Sequence, residues 1–172
     1  GTLGNGLNLL NKEKNKFEHF TADNSTTSIS NNIITSIWED NEKNIWVGTW
    51  GGGLNKIKFG VKPNKEHYIQ NITYFLNNPN NDYSISSNII QAIFQDSKGN
   101  IWVGTESGLD KYQKTNNSFI RYANQTDDIN SLSDNRIQSK CIIEDKHGNS
   151  WVGTWRGLNR ISIPQKNNSN KN

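Results

Sequence analysis

Five side chains in this sequence have the makings of a surface for a polar ligand: Trp50, Glu106, Arg136, Trp155 and Arg156. A site for a sugar-like molecule pairs aromatic faces with a few aimed hydrogen-bonding groups. Indoles, guanidinium forks and a carboxylate supply both kinds of contact. Trp50 and Trp155 each follow a Gly-Thr pair and precede a glycine turn, and Glu106 holds the equivalent place between them. That puts them in loops, where recognition residues collect on a fixed scaffold. Ordinary solvated loop residues would have the same pattern, so the assignment depends on the elements that position them.

The residue types that usually carry catalysis do not assemble in the sequence. His147 sits beside Gly148 in a turn, and His19 and His67 fall on strands expected to face outward. Glu39-Asp40 and Glu144-Asp145 pair carboxylates, but neighbours on a strand point to opposite faces. Gly-x-Ser-x-Gly, His-Glu-x-x-His and phosphate-loop patterns do not occur. No enzyme activity and no cofactor are therefore expected. A calcium loop needs several closely spaced oxygen ligands. Around Asp40, Asp96 and Asp145 each turn offers one carboxylate plus Asn44, Asn100 or Asn149, so no metal is expected either. Cys141 is the single cysteine, which precludes an internal disulfide. Its strand-like flanks predict a buried filler.

What positions the candidate residues is a repeat. Trp-Val-Gly-Thr occurs at residues 46–49, 102–105 and 151–154, followed by Gly-Leu at 53–54, 108–109 and 157–158. A truncated copy opens the chain as Gly1-Thr2, then Gly6-Leu7. The three tryptophans stand 56 and 49 residues apart. Four-stranded propeller blades take roughly 40–50 residues, and each repeat shares a core with its neighbours. An aspartate precedes each tryptophan by six residues: Asp40 and Trp46, Asp96 and Trp102, Asp145 and Trp151. The aspartates read as turn caps, with Gly99 and Gly148 supplying a positive φ and Lys43 replacing that glycine in the first copy. Trp46, Trp102 and Trp151 read as packing between blades.

Short β-forming runs separated by turn residues predict consecutive hairpins. In the middle repeat these runs are residues 89–95, 101–105, 109–113 and 119–122. Residues 21–32, 77–88 and 123–135 connect one blade to the next and end in related patterns around Ile29, Ile85 and Leu132. The apolar residue in each pattern is expected to plug the seam between blades. Two extra residues between Asn135 and Asp145 predict a bulge. The repeat holding Trp46 has what reads as a longer connection between its third and fourth strands, around residues 60–66.

The formal charge is +3, from 19 basic and 16 acidic residues scattered along the chain. A nucleic-acid surface needs a clustered basic face, so no such partner is expected. The apolar runs are too short to span a bilayer, and no direct membrane contact is expected. The chain has no methionine and starts inside a repeat, which predicts an excised or processed piece.

The series Asn88-Ile89-Ile90, then residues 96–105 (Asp-Ser-Lys-Gly-Asn-Ile-Trp-Val-Gly-Thr), then Gly108-Leu109, resembles the two-component regulator propeller repeat. The resemblance covers nearly all of residues 1–163 and occurs in register three times. It is similar to the periplasmic sensor regions of hybrid two-component histidine kinases in Gram-negative bacteria. Those regions resemble propellers of about seven blades, followed by a small sandwich, a membrane helix and the kinase. Their usual ligands are polysaccharide fragments, and their output is transcription of the genes that degrade them. The shared motif is structural and carries over no ligand or catalytic residues.

The expected fold is all-β, with about three to three and a half four-stranded antiparallel blades in an incomplete ring. It comprises a partial blade at 1–20, blades at 33–76 and 89–122, a partial blade at 137–163, and a disordered tail at 164–172. The expected function is a periplasmic segment that senses oligosaccharides or similar small polar ligands and signals to a histidine kinase. A structural or protein-binding scaffold, or a lyase-type propeller resembling streptogramin lyase, are the alternatives. The open ends call for further blades of a parent chain, or for a second copy closing the ring head to tail. Light scattering distinguishes these, because a stable dimer would reject the parent-chain reading.

Overall fold

The computed structural model describes residues 1–23 and 25–161, and every regular element in them is a strand. The tail expected at 164–172, and the last residues of the blade expected at 137–163, lie outside the described residues. The strands are β1 (Leu7–Asn11), β2 (Lys16–Phe20), β3 (Ile34–Glu39), β4 (Ile45–Thr49), β5 (Leu54–Val61), β6 (His67–Phe75) and β7 (Ile90–Gln95). They continue as β8 (Ile101–Thr105), β9 (Leu109–Gln113), β10 (Ser118–Tyr122), β11 (Ile137–Glu144), β12 (Ser150–Thr154) and β13 (Gly157–Ile161). Each sheet is an antiparallel meander in chain order: β1-β2, β3 to β6, β7 to β10, and β11 to β13. The first strands β3, β7 and β11 contact one another and form the inner edge. Among the described residues the sheets do not close a ring.

The glycine of the Trp-Val-Gly-Thr motif marks where one sheet meets the next. A Cβ on Gly48 would lie 2.5 Å from Ile90 Cγ2, and one on Gly104 would lie 2.5 Å from Ile137 Cγ2. A Cβ on Gly1 would meet Ile34 Cγ2 at the same 2.5 Å, so the truncated opening copy occupies the same structural position. An isoleucine at or beside the start of each inner strand thus packs flat on the preceding sheet. Ile90 and Ile137 are fully buried and Ile34 nearly so. Burying one such side chain stabilises by roughly 1.5–3 kcal/mol.

Three apolar clusters fill the three seams. Leu7, Ile29, Ile34, Val47, Ile57 and Ile69 lie between the first two sheets. Trp46, Phe75, Ile85, Tyr112 and Phe119 fill the next seam. Trp102, Leu109, Leu132, Ile137 and Val152 fill the last. Ile29, Ile85 and Leu132 each plug a seam from the connection above it, as their position in the connecting patterns predicts. Such contacts make each blade depend on its neighbour.

The bulge falls on β11, where the register against β12 slips between Ile137 and Ile142. Two expectations are corrected. Cys141, expected to be buried, is exposed. It lies over Gly153 in the last sheet, where no further described sheet covers it. The extra residues near 60–66 do not lengthen a loop. They extend the hairpin, since β5 continues to Val61 and pairs through to His67, with a register slip at Lys58/Phe59.

Candidate ligand-binding face

Antiparallel pairing sorts the turns onto two opposite faces. The hairpins β3-β4, β7-β8 and β11-β12 turn at one face, through Asp40, Asp96 and Asp145. The turns after β4, β8 and β12 lie at the other, with the connections between blades.

At the first face the repeats are nearly identical. Asp96 Oδ1 accepts the backbone N–H of Lys98 (3.1 Å) and of Asn100 (2.8 Å), while Oδ2 accepts Trp102 Nε1–H at 2.9 Å. Asp40 and Asp145 repeat the bonds, each accepting its tryptophan's Nε1–H at 2.8 Å. Burial pushes the carboxyls of Asp40 and Asp96 upward, but the bonds from Asn and Trp outweigh it and hold both below the usual carboxylate range. For Asp145 the bond from Trp151 leads the lowering. The φ angles are 84° at Gly99, 78° at Gly148 and 65° at Lys43. The carboxylates are therefore saturated by the protein itself. Among the described residues no group of three or more His, Cys, Asp and Glu is placed to hold a metal.

The sequence pattern points to a turn cap. It does not reveal that the same carboxylate anchors the indole. The constant spacing of six was the available signal.

At the opposite face the frame repeats but the side chains differ. Thr49, Thr105 and Thr154 each donate a hydroxyl to a glycine carbonyl across the turn, at 2.8, 3.1 and 3.0 Å. The next residue in each repeat bonds back toward the inner strand. Trp50 N–H donates to the Ile33 carbonyl (3.0 Å), Glu106 N–H to Ile89 (3.3 Å) and Trp155 N–H to Arg136 (3.1 Å). Trp50, Glu106 and Trp155 are thus held at equivalent places by their backbones, which leaves the side chains free. Trp50 is 49% exposed and Trp155 60% exposed.

Three of the five candidates come together. The Arg136 guanidinium lies 5.2 Å from the centroid of the Trp155 ring, within cation–π range. Arg136 also forks onto Asp134, with Nε to Oδ1 at 3.2 Å and Nη2 to Oδ2 at 3.1 Å. Arg156 Nε lies 3.4 Å from Asp134 Oδ2. The Arg136 side chain and N–H lower the Asp134 carboxyl, and Asp134 in turn raises Arg136. Glu106 accepts a hydrogen bond from Gln91 Nε2 and adds a weaker field at Arg136. Trp50 stands two repeats away from the Arg136 cluster.

Asp134 organises this cluster, and the sequence reading missed it. It occupies the place of Asn31 and Ser87, whose side chains cap the N–H groups of Ile33 and Ile89 at 2.7 and 3.1 Å. Asp134 caps Arg136 N–H in the same way at 2.8 Å. Its charge, which neither Asn31 nor Ser87 carries, was the signal.

A cavity of about 700 Å³ lies beside Tyr122, Leu132 and Arg160, and two of the smaller ones lie between or within the sheets. One of about 420 Å³ opens between blades on the aspartate-turn face, where Lys56 Nζ lies 5.2 Å from the Trp46 ring. The other, of about 450 Å³, lies along the inner strands and is lined by Ile34, Trp38, Ile93 and Ile142. None of these is lined by the five candidates, which form an open surface.

The geometry now has a family to stand beside. The model of the two component regulator propeller matches residues 28–51, 84–107 and 131–156. Three segments of this chain match that repeat. Each match spans the connection, the inner strand, the aspartate turn and the Trp-Val-Gly-Thr strand. Histidine kinase P4 of Formosa agariphila is 37% identical over 71 residues, which cover 41% of this chain and 5% of the kinase. Among solved structures, virginiamycin B lyase from Staphylococcus aureus aligns with a TM-score of 0.52 at 11% identity, covering 95% of this chain and 50% of the lyase. A Bacteroides thetaiotaomicron protein of unknown function aligns at 0.55 with 13% identity, covering 92% of this chain and 42% of that one. Both show the propeller fold alone. The chain spans a twentieth of the kinase it matches and half or less of these structures.

Proposed function

We propose that these repeats are part of an extracytoplasmic sensor, and that the Arg136, Trp155 and Arg156 face takes an oligosaccharide or similar small polar ligand. The observation that carries this reading is an exposed indole with a guanidinium held over it by Asp134. An aromatic face beside fixed planar donors is what a polyhydroxylated ring needs. Glu106 and Trp50 extend the same face to the two preceding repeats. The family and the histidine kinase relative support a signalling role. Ligand binding would shift the balance between two arrangements of the full receptor, through its different affinity for each. The role is non-catalytic, with further blades of a longer chain completing the ring and a histidine kinase as output.

Calorimetry with a panel of glycans on the full sensor region tests this. Trp155→Ala is expected to weaken binding at least tenfold, the loss of about 1.4 kcal/mol. If Trp50→Ala and Trp155→Ala both leave the affinity untouched, this face is not the site.

A further inference from the structure

One residue in the third strand of each of the last three sheets ties the incoming connection to that sheet. Asn55 on β5 accepts Ser30 N–H at Oδ1 (2.9 Å). Its Nδ2 donates to Ser30 Oγ (2.8 Å) and to the carbonyl of its cross-strand partner Val47 (3.3 Å). Asn159 on β13 does the same with Ser133 (2.9 and 3.1 Å) and with the carbonyl of its partner Val152 (3.3 Å). In the middle sheet the residue is Asp110, paired with Val103 and fully buried. Its Oδ2 accepts Ser86 N–H (2.9 Å) and Ser86 Oγ–H (2.6 Å). Its Oδ1 is buried and has no donor.

The two asparagines show what is missing. In both, the second side-chain atom donates to a valine carbonyl. Asp110 shares their register against a valine and their bond from a serine N–H, so an ionised Asp110 in the same orientation would set an oxygen lone pair there, acceptor against acceptor, in a site without water's screening. The protonated acid restores a donor at that position, one O–H where the amide has two N–H, and the Ser86 hydroxyl donates to the other oxygen in place of accepting. The charged group facing Asp110 is Arg121 of β10, whose Nε lies 4.0 Å from Oδ1, beyond hydrogen-bond reach. β8 contributes the Val103 carbonyl and the Thr105 hydroxyl, and the connection contributes Ser86; all are uncharged.

We propose that Asp110 is a built-in proton site: as the neutral acid its Oδ1–H donates to the Val103 carbonyl, and loss of that proton to solvent loosens the Ser86 knot. Burial, offset in part by the Ser86 bonds and Arg121, pushes the carboxyl up to about 6, inside the range a cell envelope can sample. The consequence reaches the candidate face. Ser86 Oγ is 2.6 Å from Thr105 Oγ1, which accepts Ser107 N–H at 3.0 Å, so the knot braces the turn that carries Glu106.

The test compares the chain with its Asp110→Asn variant by chemical denaturation across acidic to neutral pH. A carboxyl raised by folding lends stability that is present below the unfolded value and lost as pH rises through the folded one. The variant is therefore expected to gain on the native chain as pH rises from about 4 to about 6 and to level off above that, by on the order of a hundredfold in the folding equilibrium. Other carboxylates titrate alike in both chains and cancel. Hydrogen exchange provides a second reading: protection of the Ser86 and Glu106 amides should fall with pH in the native chain and not in the variant. A pH-independent gap, an unchanged exchange pattern, or a variant less stable at neutral pH would overturn the proposal.

Discussion

The two faces of this molecule are built from the same repeat and use it differently. At the aspartate-turn face, Asp40, Asp96 and Asp145 each spend both carboxyl oxygens on their own turn and on an indole. At the opposite face, Thr49, Thr105 and Thr154 fix the backbone in one way, while the next side chain is Trp50, Glu106 or Trp155. A residue that recurs with all its bonds satisfied within its own repeat has little left to offer a ligand. Residues that change while their backbone bonds stay constant are free to take up function.

The sharpest way to break this comparison is to cut into a seam. Trp102 is buried between two sheets and Trp151 is only partly buried. Trp102→Ala is expected to cost about 3–5 kcal/mol in urea denaturation, and Trp151→Ala clearly less. Equal losses would mean that the indoles act through their aspartate bonds and not through packing.

Acid is the next probe. Asp40, Asp96 and Asp145 are lowered on folding. Their stabilisation is therefore present above the unfolded carboxyl value of about 3.9 and is lost as pH falls below it. The denaturation midpoint should drop on acidification below about pH 4, opposite in sign to the contribution of Asp110. A midpoint that is flat down to about pH 2 would deny the turn carboxylates this role.

The smallest expected effect lies in the one imperfect turn. Lys43 has a φ of 65°, where its neighbours in the pattern have Gly99 and Gly148. Lys43→Gly should stabilise the chain by about 1 kcal/mol, read as a higher thermal midpoint. A loss would show that the Lys43 contact with Glu39, 3.2 Å away, outweighs the backbone strain.

Much of the frame was legible because each cue is local. In the middle blade, β8 and β9 fall on the runs the sequence marks, and β7 and β10 differ from them by one residue. The seam plugs Ile29, Ile85 and Leu132 could also be found, since an apolar side chain that recurs among serines and asparagines gains most by leaving water. Cys141 was misread because strand position alone does not say which sheet covers it. Asp134 was missed because its neighbours in the pattern, Asn31 and Ser87, perform the same backbone task without a charge.

The sequence by itself determined the repeat, its hairpins and the separation of the loop residues Trp50 and Trp155 from the motif tryptophans, since spacing and turn chemistry are properties of the chain alone. Only the tertiary structure decided that Arg136 and Arg156 converge on Asp134 beside Trp155, and that Asp110 is fully buried with one carboxyl oxygen left without a donor. Those outcomes depend on cross-strand register and on which sheet lies against which. Register and packing arise between segments far apart in the chain, so no local pattern carries them.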